Sequence, residues 1–140
     1  MTPGNGNAFV SCTLLFCAVA NFSGCQNYEK ETAIVRGTIA LDGNPVTKGT
    51  VMFVPRAGRS GRAVIQADGT FQVSTYDDGD GAIVGENKVA VVVVFGEDAT
   101  AEEVKMHLLP VKYASTSTSG IVCDVKASEE NEVHLKLESK

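Results

Sequence analysis

The chain has 140 residues and a formal net charge of −5, so its size allows one domain plus a short address segment. No charged side chain occurs before Glu29, and the acidic balance gives no electrostatic reason to expect nucleic acid as a partner. The four cysteines form no C-x-x-C pair, which argues against a zinc ribbon or a thioredoxin-like redox motif. We therefore predict one domain without a cofactor.

Residues 8–20 form an uncharged and mostly apolar stretch, AFVSCTLLFCAVA. These thirteen residues are too few to span a bilayer as a helix, which needs about 20, but they suit the h-region of a secretory signal peptide. Two cleavage sites compete. Cleavage after Ala20, at an A-x-A site, would release a soluble secreted protein, whereas Phe22-Ser23-Gly24-Cys25 is similar to a bacterial lipobox.

The lipobox interpretation makes Cys25 the site of lipidation. Residues 1–24 would then be a signal peptide, and residues 25–32 a lipidated N-terminus with a polar tether. Each buried methylene of a lipid adds about 0.8 kcal/mol of membrane affinity, so two or three acyl chains anchor a protein stably. We therefore expect an exported protein of the cell envelope that is anchored to a membrane, with the soluble secreted form as the alternative.

From residue 33 the dominant hydrophobic period is two, which is typical of half-buried β-strands. Seven segments show this pattern or a continuous apolar run, namely residues 33–41, 49–54, 62–67, 70–75, 87–95, 120–126 and 132–138. Turn residues separate most of them, and Asp68-Gly69 fits a two-residue type I′ hairpin. Residues 33–140 are therefore predicted to form an all-β domain, a seven-stranded antiparallel Greek-key sandwich of the transthyretin-like or Ig-like kind.

The alternation also predicts which side chains form the core. They are Val35, Ile39, Phe53, Phe71, Val89, Val91, Val93, Ile121, Val125 and Leu135. One long connection, residues 96–119, breaks the strand rhythm. Thr100 and Glu103 make a capping-box pattern and Pro110 ends a helix, so we expect a short helical turn at residues 100–108. Binding is expected in the connections 76–86 and 96–119, because long loops often carry function.

Three aspartates, Asp77, Asp78 and Asp80, are candidates for a calcium site, because calcium takes oxygen ligands of this type. Their spacing differs from that of an EF-hand loop, so a polar, glycine-bent connection is the alternative. His107 and His134 are expected to face solvent, since the chain contains no H-E-x-x-H zinc motif.

Other residues carry weaker chemical signals. The arginines Arg56, Arg59 and Arg62 are expected to share one solvated loop, and Cys123 is expected to be a buried, unreactive thiol. No G-x-S-x-G elbow is present, which argues against a serine hydrolase. The chain has no Trp, which argues against a sugar site built on aromatic stacking.

Three stretches carry a family resemblance: "VRGTIALDGNPVTKGTVMFVP", "ADGTFQVSTYDDGDGAIVGENKVAV" and "LLPVKYASTSTSGIVCDVKASEENEVHLKL". Together they resemble planctomycete-type small lipoproteins with a carboxypeptidase regulatory-like (transthyretin-like) β-sandwich, over about residues 35–138. The resemblance implies a lipid-anchored envelope domain without catalytic residues. Its implied role is structural, or the binding of an envelope protein or polymer.

Two further functions stay open as alternatives. A transthyretin-like hydrolase has the same fold, but the enzymes of that kind that act on hydroxyisourate are expected to end in a Tyr-Arg-Gly-Ser-type tail, whereas this chain ends in LESK. A secreted domain that binds calcium or carbohydrate is the other alternative. We predict that the protein is not an enzyme.

Overall fold

The structure, a computed structural model, describes residues 29–140. Its backbone is mostly β-sheet, as the period-two pattern predicts. The strands are β1 (Thr32–Ala33), β2 (Val35–Leu41), β3 (Asn44–Pro45), β4 (Thr50–Pro55), β5 (Gly61–Val64), β6 (Thr70–Gln72), β7 (Ala82–Ile83), β8 (Gly85–Val92), β9 (Ile121–Val125) and β10 (Asn131–Leu137). The predicted signal peptide, cleavage sites and lipidation at Cys25 lie outside the described residues.

The strands form three sheets rather than the predicted two-sheet, seven-strand arrangement. One sheet, here called the β2 sheet, has the order β10–β2–β3, with β6 also paired to β2. The other four-stranded sheet, the β4 sheet, has the order β5–β4–β8–β9, and β1 pairs with β7 in a two-stranded ribbon. Each of the seven predicted segments overlaps one of the longer strands, and β1, β3 and β7 are additional pairs of residues.

One strand pair departs from the antiparallel prediction. β10 runs parallel to β2, with Asn131 opposite Val35 and Leu137 opposite Leu41. The strand before it, β9, belongs to the β4 sheet, so the chain crosses between sheets on its way to β10. No hairpin therefore fixes β10 antiparallel to its neighbour, and the prediction of a purely antiparallel sandwich is wrong at this pair.

The sandwich has a closed side and an open side. On the closed side, Arg62 of β5 and Ser74, just after β6, exchange two backbone hydrogen bonds of 2.9 Å each, which link the two sheets. On the open side, β9 and β10 are the terminal strands of their sheets. Within residues 29–140, the two sheets are therefore joined by backbone hydrogen bonds along the closed side alone.

The core lies between the β2 and β4 sheets. Eight of the ten predicted core side chains are buried, and the two exceptions, Val93 and Ile121, are half-buried. Val93 lies just beyond the end of β8, and Ile121 begins the edge strand β9, so neither is covered on all sides. The rings of Phe53 and Phe71 meet at the centre with centroids 6.3 Å apart.

The type I′ hairpin lies at Asp42-Gly43 and not at Asp68-Gly69. Asp42 and Gly43 have φ angles of 49° and 85°, and Leu41 pairs with Asn44 across them. At Asp68-Gly69 only the glycine has a positive φ, because this turn contains more residues than the two-residue turn at Asp42-Gly43. Asp68 instead accepts hydrogen bonds from the hydroxyl and the backbone N–H of Thr70, which lower the pKa of Asp68.

The long connection contains helix α1 (Ala101–His107), as predicted. Thr100 caps it, since the Glu103 N–H donates to Thr100 Oγ1 at 3.1 Å. A 3₁₀ helix at Val111–Ala114 follows. Within residues 29–140, neither helix has the length and the apolar character that a membrane span requires.

Candidate ligand-binding groove

An open groove of about 1140 Å³ lies on the outer face of the β2 sheet. Its floor is formed by β2 and β6, and β5 and the start of β10 border it. Side chains alternate between the two faces of a strand, so the core positions Val35 and Ile39 of β2 place Arg36 and Thr38 on the outer face. Gln72 of β6 lies directly opposite Arg36 in the next strand.

The closed side of the sandwich gives this face its concave shape. The backbone bonds between Arg62 and Ser74 bring β5 alongside β6, although β5 belongs to the β4 sheet. The outward side chains Arg62 and Val64 therefore continue the surface beyond the edge of β6. The outer face of the β2 sheet is concave because the β4 sheet meets it along the closed side, where β5 lies beside β6.

The groove carries charges of both signs. Arg36 Nη1 lies 3.0 Å from Glu130 Oε1, in a pair whose side chains are half exposed. Arg62 is exposed and has no carboxylate within 4 Å in the described part of the chain. Asp78 and Glu132 also border the groove. This balance fits a polar ligand without a large net charge of either sign.

Uncharged hydrogen-bonding side chains outnumber the charged ones. They are Thr38, Gln66, Thr70, Gln72, Ser74 and Asn131. Gln72 makes no side-chain hydrogen bond to any described residue, so its amide can donate to and accept from a ligand. The one aromatic side chain in the lining, Phe71, is buried, and Tyr76 and Tyr113 lie elsewhere. Ligand contact in this groove would therefore rely on hydrogen bonds rather than on stacking.

The calcium candidates Asp77, Asp78 and Asp80 lie in the loop after β6. The Asp80 carboxylate accepts three backbone N–H bonds, from Thr75 at 2.6 Å, Tyr76 at 2.9 Å and Asp77 at 3.1 Å. Its oxygens therefore hold the loop together. Among residues 29–140, no three His, Cys, Asp or Glu side chains are grouped to hold a metal ion.

A chain of hydroxyl, imidazole and carboxylate lies beside the groove. Thr38 Oγ1 is 2.9 Å from His134 Nδ1, and His134 Nε2 is 3.4 Å from Glu132 Oε1. Acyl-transfer chemistry also needs hydrogen-bond donors aimed at the developing oxyanion. The backbone N–H groups here lie in the plane of the sheet, away from the face on which the Thr38 hydroxyl lies. This position therefore offers a nucleophile and a base without an oxyanion site.

The structure bears on two other sequence predictions, those for the three arginines and for Cys123. Arg62 lies in β5, so the prediction that it shares one loop with Arg56 and Arg59 is wrong; Arg56 instead pairs with Glu86 at 3.3 Å. Cys123 is half-buried rather than buried, since β9 is an edge strand. Burial raises the pKa of the Cys123 thiol, which disfavours the reactive thiolate.

The groove lies apart from most of the residues in which binding is expected from the sequence. Of the two connections in which binding is expected, 76–86 and 96–119, only Asp78 borders it. The other lining residues are outward positions of strands that are distant in sequence, from Arg36 to Glu132. The sequence feature that indicates the groove is the set of large polar side chains at the outward positions of the predicted strands. This feature locates the groove only when it is known which strands are neighbours.

The chain is held to the sandwich from Lys30 onward. The Lys30 N–H donates to Tyr76 Oη at 3.1 Å, and the Val84 N–H donates to the Glu31 carbonyl at 3.0 Å. β1 then pairs with β7. A backbone contact with the sandwich is therefore present at Lys30, five residues after Cys25 in sequence.

Comparison with known proteins gives no significant match: no protein-family model, no curated protein and no solved structure matches the chain.

Proposed function

We propose that this protein is an exported module of the cell envelope, anchored to a membrane through lipid at Cys25, that binds a polar ligand and has no enzymatic activity. The anchor is supported by the lipobox-like Phe22-Ser23-Gly24-Cys25, which follows the apolar segment 8–20 at the distance that a signal peptide requires. Ser23 and Gly24 are small, as a peptidase cleft needs next to its cut.

The same proposal assigns the sandwich to the carboxypeptidase regulatory-like, transthyretin-like architecture with Greek-key connections. The motif residues Asp42-Gly43 form the tight hairpin after β2. Tyr113, in the "LPVKY" segment, is buried, and its hydroxyl bonds to the Glu138 N–H at 2.9 Å and the Glu138 carbonyl at 3.1 Å. These motif residues stabilise a turn and a packing contact of the sandwich. Such structural roles are what is expected if the sequence pattern that this chain resembles specifies the architecture.

The position of Lys30 limits how far the sandwich can lie from an anchor at Cys25. The five residue steps between them reach at most about 18 Å when fully extended. An anchored protein would therefore keep its sandwich close to the membrane surface. Its envelope ligand would be a polymer or a protein within that short distance.

The observation that supports the binding role is the groove with two polar side chains, Arg62 and Gln72, that bond to no side chain among residues 29–140. Both stand on strands whose backbones are fixed by hydrogen bonds, since Arg62 pairs with Met52 and Ser74, and Gln72 pairs with Arg36. Side chains on a rigid backbone lose less freedom on binding, so such a surface is partly preorganised.

The binding role is tested with the purified segment 26–140, which contains the whole core described above. Co-sedimentation with insoluble envelope polymer from the native host, and pull-down of solubilised envelope proteins, measure retention. We expect the double variant R62A/Q72A to lose most of the retention. Lys88→Ala, an exposed change in β8, is the matched control and should behave as the wild type. Equal retention by R62A/Q72A and the wild type would exclude the groove as the binding surface.

The Thr38–His134–Glu132 contact favours one second candidate function, a hydrolase. It is tested by assaying the segment 26–140 against activated esters and hydroxyisourate. Turnover abolished by His134→Ala and kept by His107→Ala would establish the hydrolase. We expect no turnover above background in either variant or in the wild type.

A further inference from the structure

Within residues 29–140, no strand pairs with the outer edge of β10, which lies on the open side of the sandwich. β10 pairs with β2 along its other edge over all seven residues, and it is the terminal strand of its sheet. A strand edge without a partner presents backbone donors and acceptors that another strand can pair with. This edge is longer than that of β9, which has five residues.

Backbone contacts show which residues face the open edge. The Asn131 N–H bonds to the Ile34 carbonyl and the Leu137 carbonyl accepts from the Asp42 N–H, so these two residues face β2. Alternation along the strand then directs the N–H and C=O groups of Glu132, His134 and Lys136 to the open edge. At the next such position, Glu138, the Tyr113 hydroxyl already occupies both backbone groups.

Two of the devices that usually keep strand edges apart, proline and a β-bulge, do not occur in this open stretch. Residues 132–136 contain neither Pro nor Gly, and their register with β2 runs without a bulge. The charged side chains of Glu132 and Lys136 lie on the exposed outer face of the sheet rather than across the edge. A second strand can therefore approach this edge in the plane of the sheet.

The sequence of β10 is complementary to itself in antiparallel orientation. With His134 placed opposite His134 of a second copy, Glu132 lies opposite Lys136 of that copy on the outer face, and Val133 lies opposite Leu135 on the inner face. Opposite charges and apolar pairs in these positions stabilise a strand pair. The β9 edge lacks this property, because the same operation about Cys123 sets Val122 against Asp124.

We propose that a second copy of this chain pairs along the β10 edge, so that two β2 sheets join into one continuous antiparallel sheet about a two-fold axis at His134. Residues that face each other with both backbone groups exchange two hydrogen bonds. The three facing pairs thus satisfy all the N–H and C=O groups that Glu132, His134 and Lys136 direct to the edge. The order of the charges along β10 favours a second copy of this chain as the partner strand. This pairing does not depend on the lipid anchor or on a ligand in the groove.

Charge reversal tests the pairing and its register. Sedimentation equilibrium of the segment 26–140 should show a reversible dimer. Lys136→Glu sets Glu132 against a glutamate at two places in each dimer, so we expect dimerisation to weaken about tenfold. The double variant E132K/K136E restores opposite charges and should return to within about twofold of the wild type. Lys88→Glu changes the net charge equally at a distant exposed site and is the matched control.

Hydrogen exchange measured by NMR gives a second readout. The amides of Glu132, His134 and Lys136 should gain protection as the protein concentration rises, while those of the β9 edge should not. A wild-type protein that stays monomeric at about 1 mM would overturn the proposal. So would a dimer that Lys136→Glu leaves unchanged, a double variant that does not recover, or concentration-dependent protection confined to other residues.

Discussion

The loop at residues 75–81 and the insertion at residues 93–120 are both long connections, but they are held in different ways. In the loop, Asp80 accepts three backbone N–H bonds and the Thr75 hydroxyl donates to the Gly81 carbonyl at 2.7 Å. In the insertion, helix α1 buries none of its residues. The order of a connection therefore depends on where its backbone groups and apolar side chains find partners, and not on its length.

The insertion is attached to the sandwich near α1 by few contacts. Lys48 makes an ion pair with Glu103 of α1, and its Nζ lies 5.6 Å from the centroid of the Phe95 ring. Met106 and Leu108 are 76% and 63% exposed. The following predictions test this contrast between a bonded loop and a loosely attached helix.

The largest effect is expected at Gly81, where the loop meets β1. Gly81 has a φ of 93°, and a Cβ there would lie 1.7 Å from the Ala33 carbonyl oxygen. Gly81→Ala should lower the free energy of unfolding by about 3 kcal/mol or more, from backbone strain and the displacement of β1. Gly43→Ala is the control. Its φ is also positive, at 85°, but a Cβ there would have no atom within 4 Å apart from those of its chain neighbours. This substitution should cost about 1 kcal/mol in urea unfolding, and equal losses in both variants would contradict the account.

Removal of the Asp80 carboxylate should have the next largest effect. Asp80→Ala leaves three backbone N–H groups without their acceptor, so we expect a loss of about 2–4 kcal/mol in the free energy of unfolding. Asp80→Asn keeps one acceptor oxygen and should lose about half as much. Asp77→Ala alters an exposed neighbour and should change stability by less than about 0.5 kcal/mol. If all three variants unfold at the same urea concentration, Asp80 does not hold the loop.

The ion pair between Lys48 and Glu103 of α1 should contribute much less to the free energy of unfolding. The side chains of Lys48 and Glu103 are 38% and 39% exposed, so solvent weakens their attraction. Glu103→Gln should therefore lower the free energy of unfolding by less than about 1 kcal/mol. Amide exchange in α1 should nevertheless become faster, because this pair is one of the few contacts that hold the helix. A loss above about 2 kcal/mol would show that α1 is integral to the core.

The exposed apolar side chains of α1 should have the smallest effect. Met106→Ser should change the free energy of unfolding by less than about 0.5 kcal/mol, because that side chain is exposed in the folded protein. The contrasting variant is Leu135→Ala, whose side chain is 5% exposed and whose removal should cost about 2–4 kcal/mol. Comparable losses in the two variants would mean that Met106 packs against the fold in solution.

Local sequence signals predicted the elements well and their long-range pairing less well. The period-two pattern located the seven longer strands, and the Thr100 cap located α1. The dipeptide Asp-Gly occurs at both residue 42 and residue 68, and only the number of residues between the paired strands decides where the type I′ turn forms. The parallel pairing of β10 with β2 is set by the crossing from one sheet to the other, which no local pattern records.

The groove could be predicted only in part, for a related reason. The alternation of β2 places Arg36 on the outward face, which is readable from the sequence, whereas the loop prediction for Arg62, which lies in β5, is wrong. The approach of Arg62 to Arg36 depends on the bonds between Arg62 of β5 and Ser74, which lies just after β6 and twelve residues further along the chain. The unengaged state of Gln72 is likewise a property of the packed structure. Residues on separate strands can therefore be assigned to one site only when the sheet topology is known.

The proposed export and lipid anchor at Cys25 are tested by the mass of the protein isolated from its native host. Intact-mass spectrometry of the membrane fraction should give a chain that begins at Cys25 and carries the added mass of a diacylglycerol group, with or without a further acyl chain. The variant Cys25→Ser should leave the membrane fraction. A mature chain that begins at Asn21 and carries no lipid would contradict the anchor.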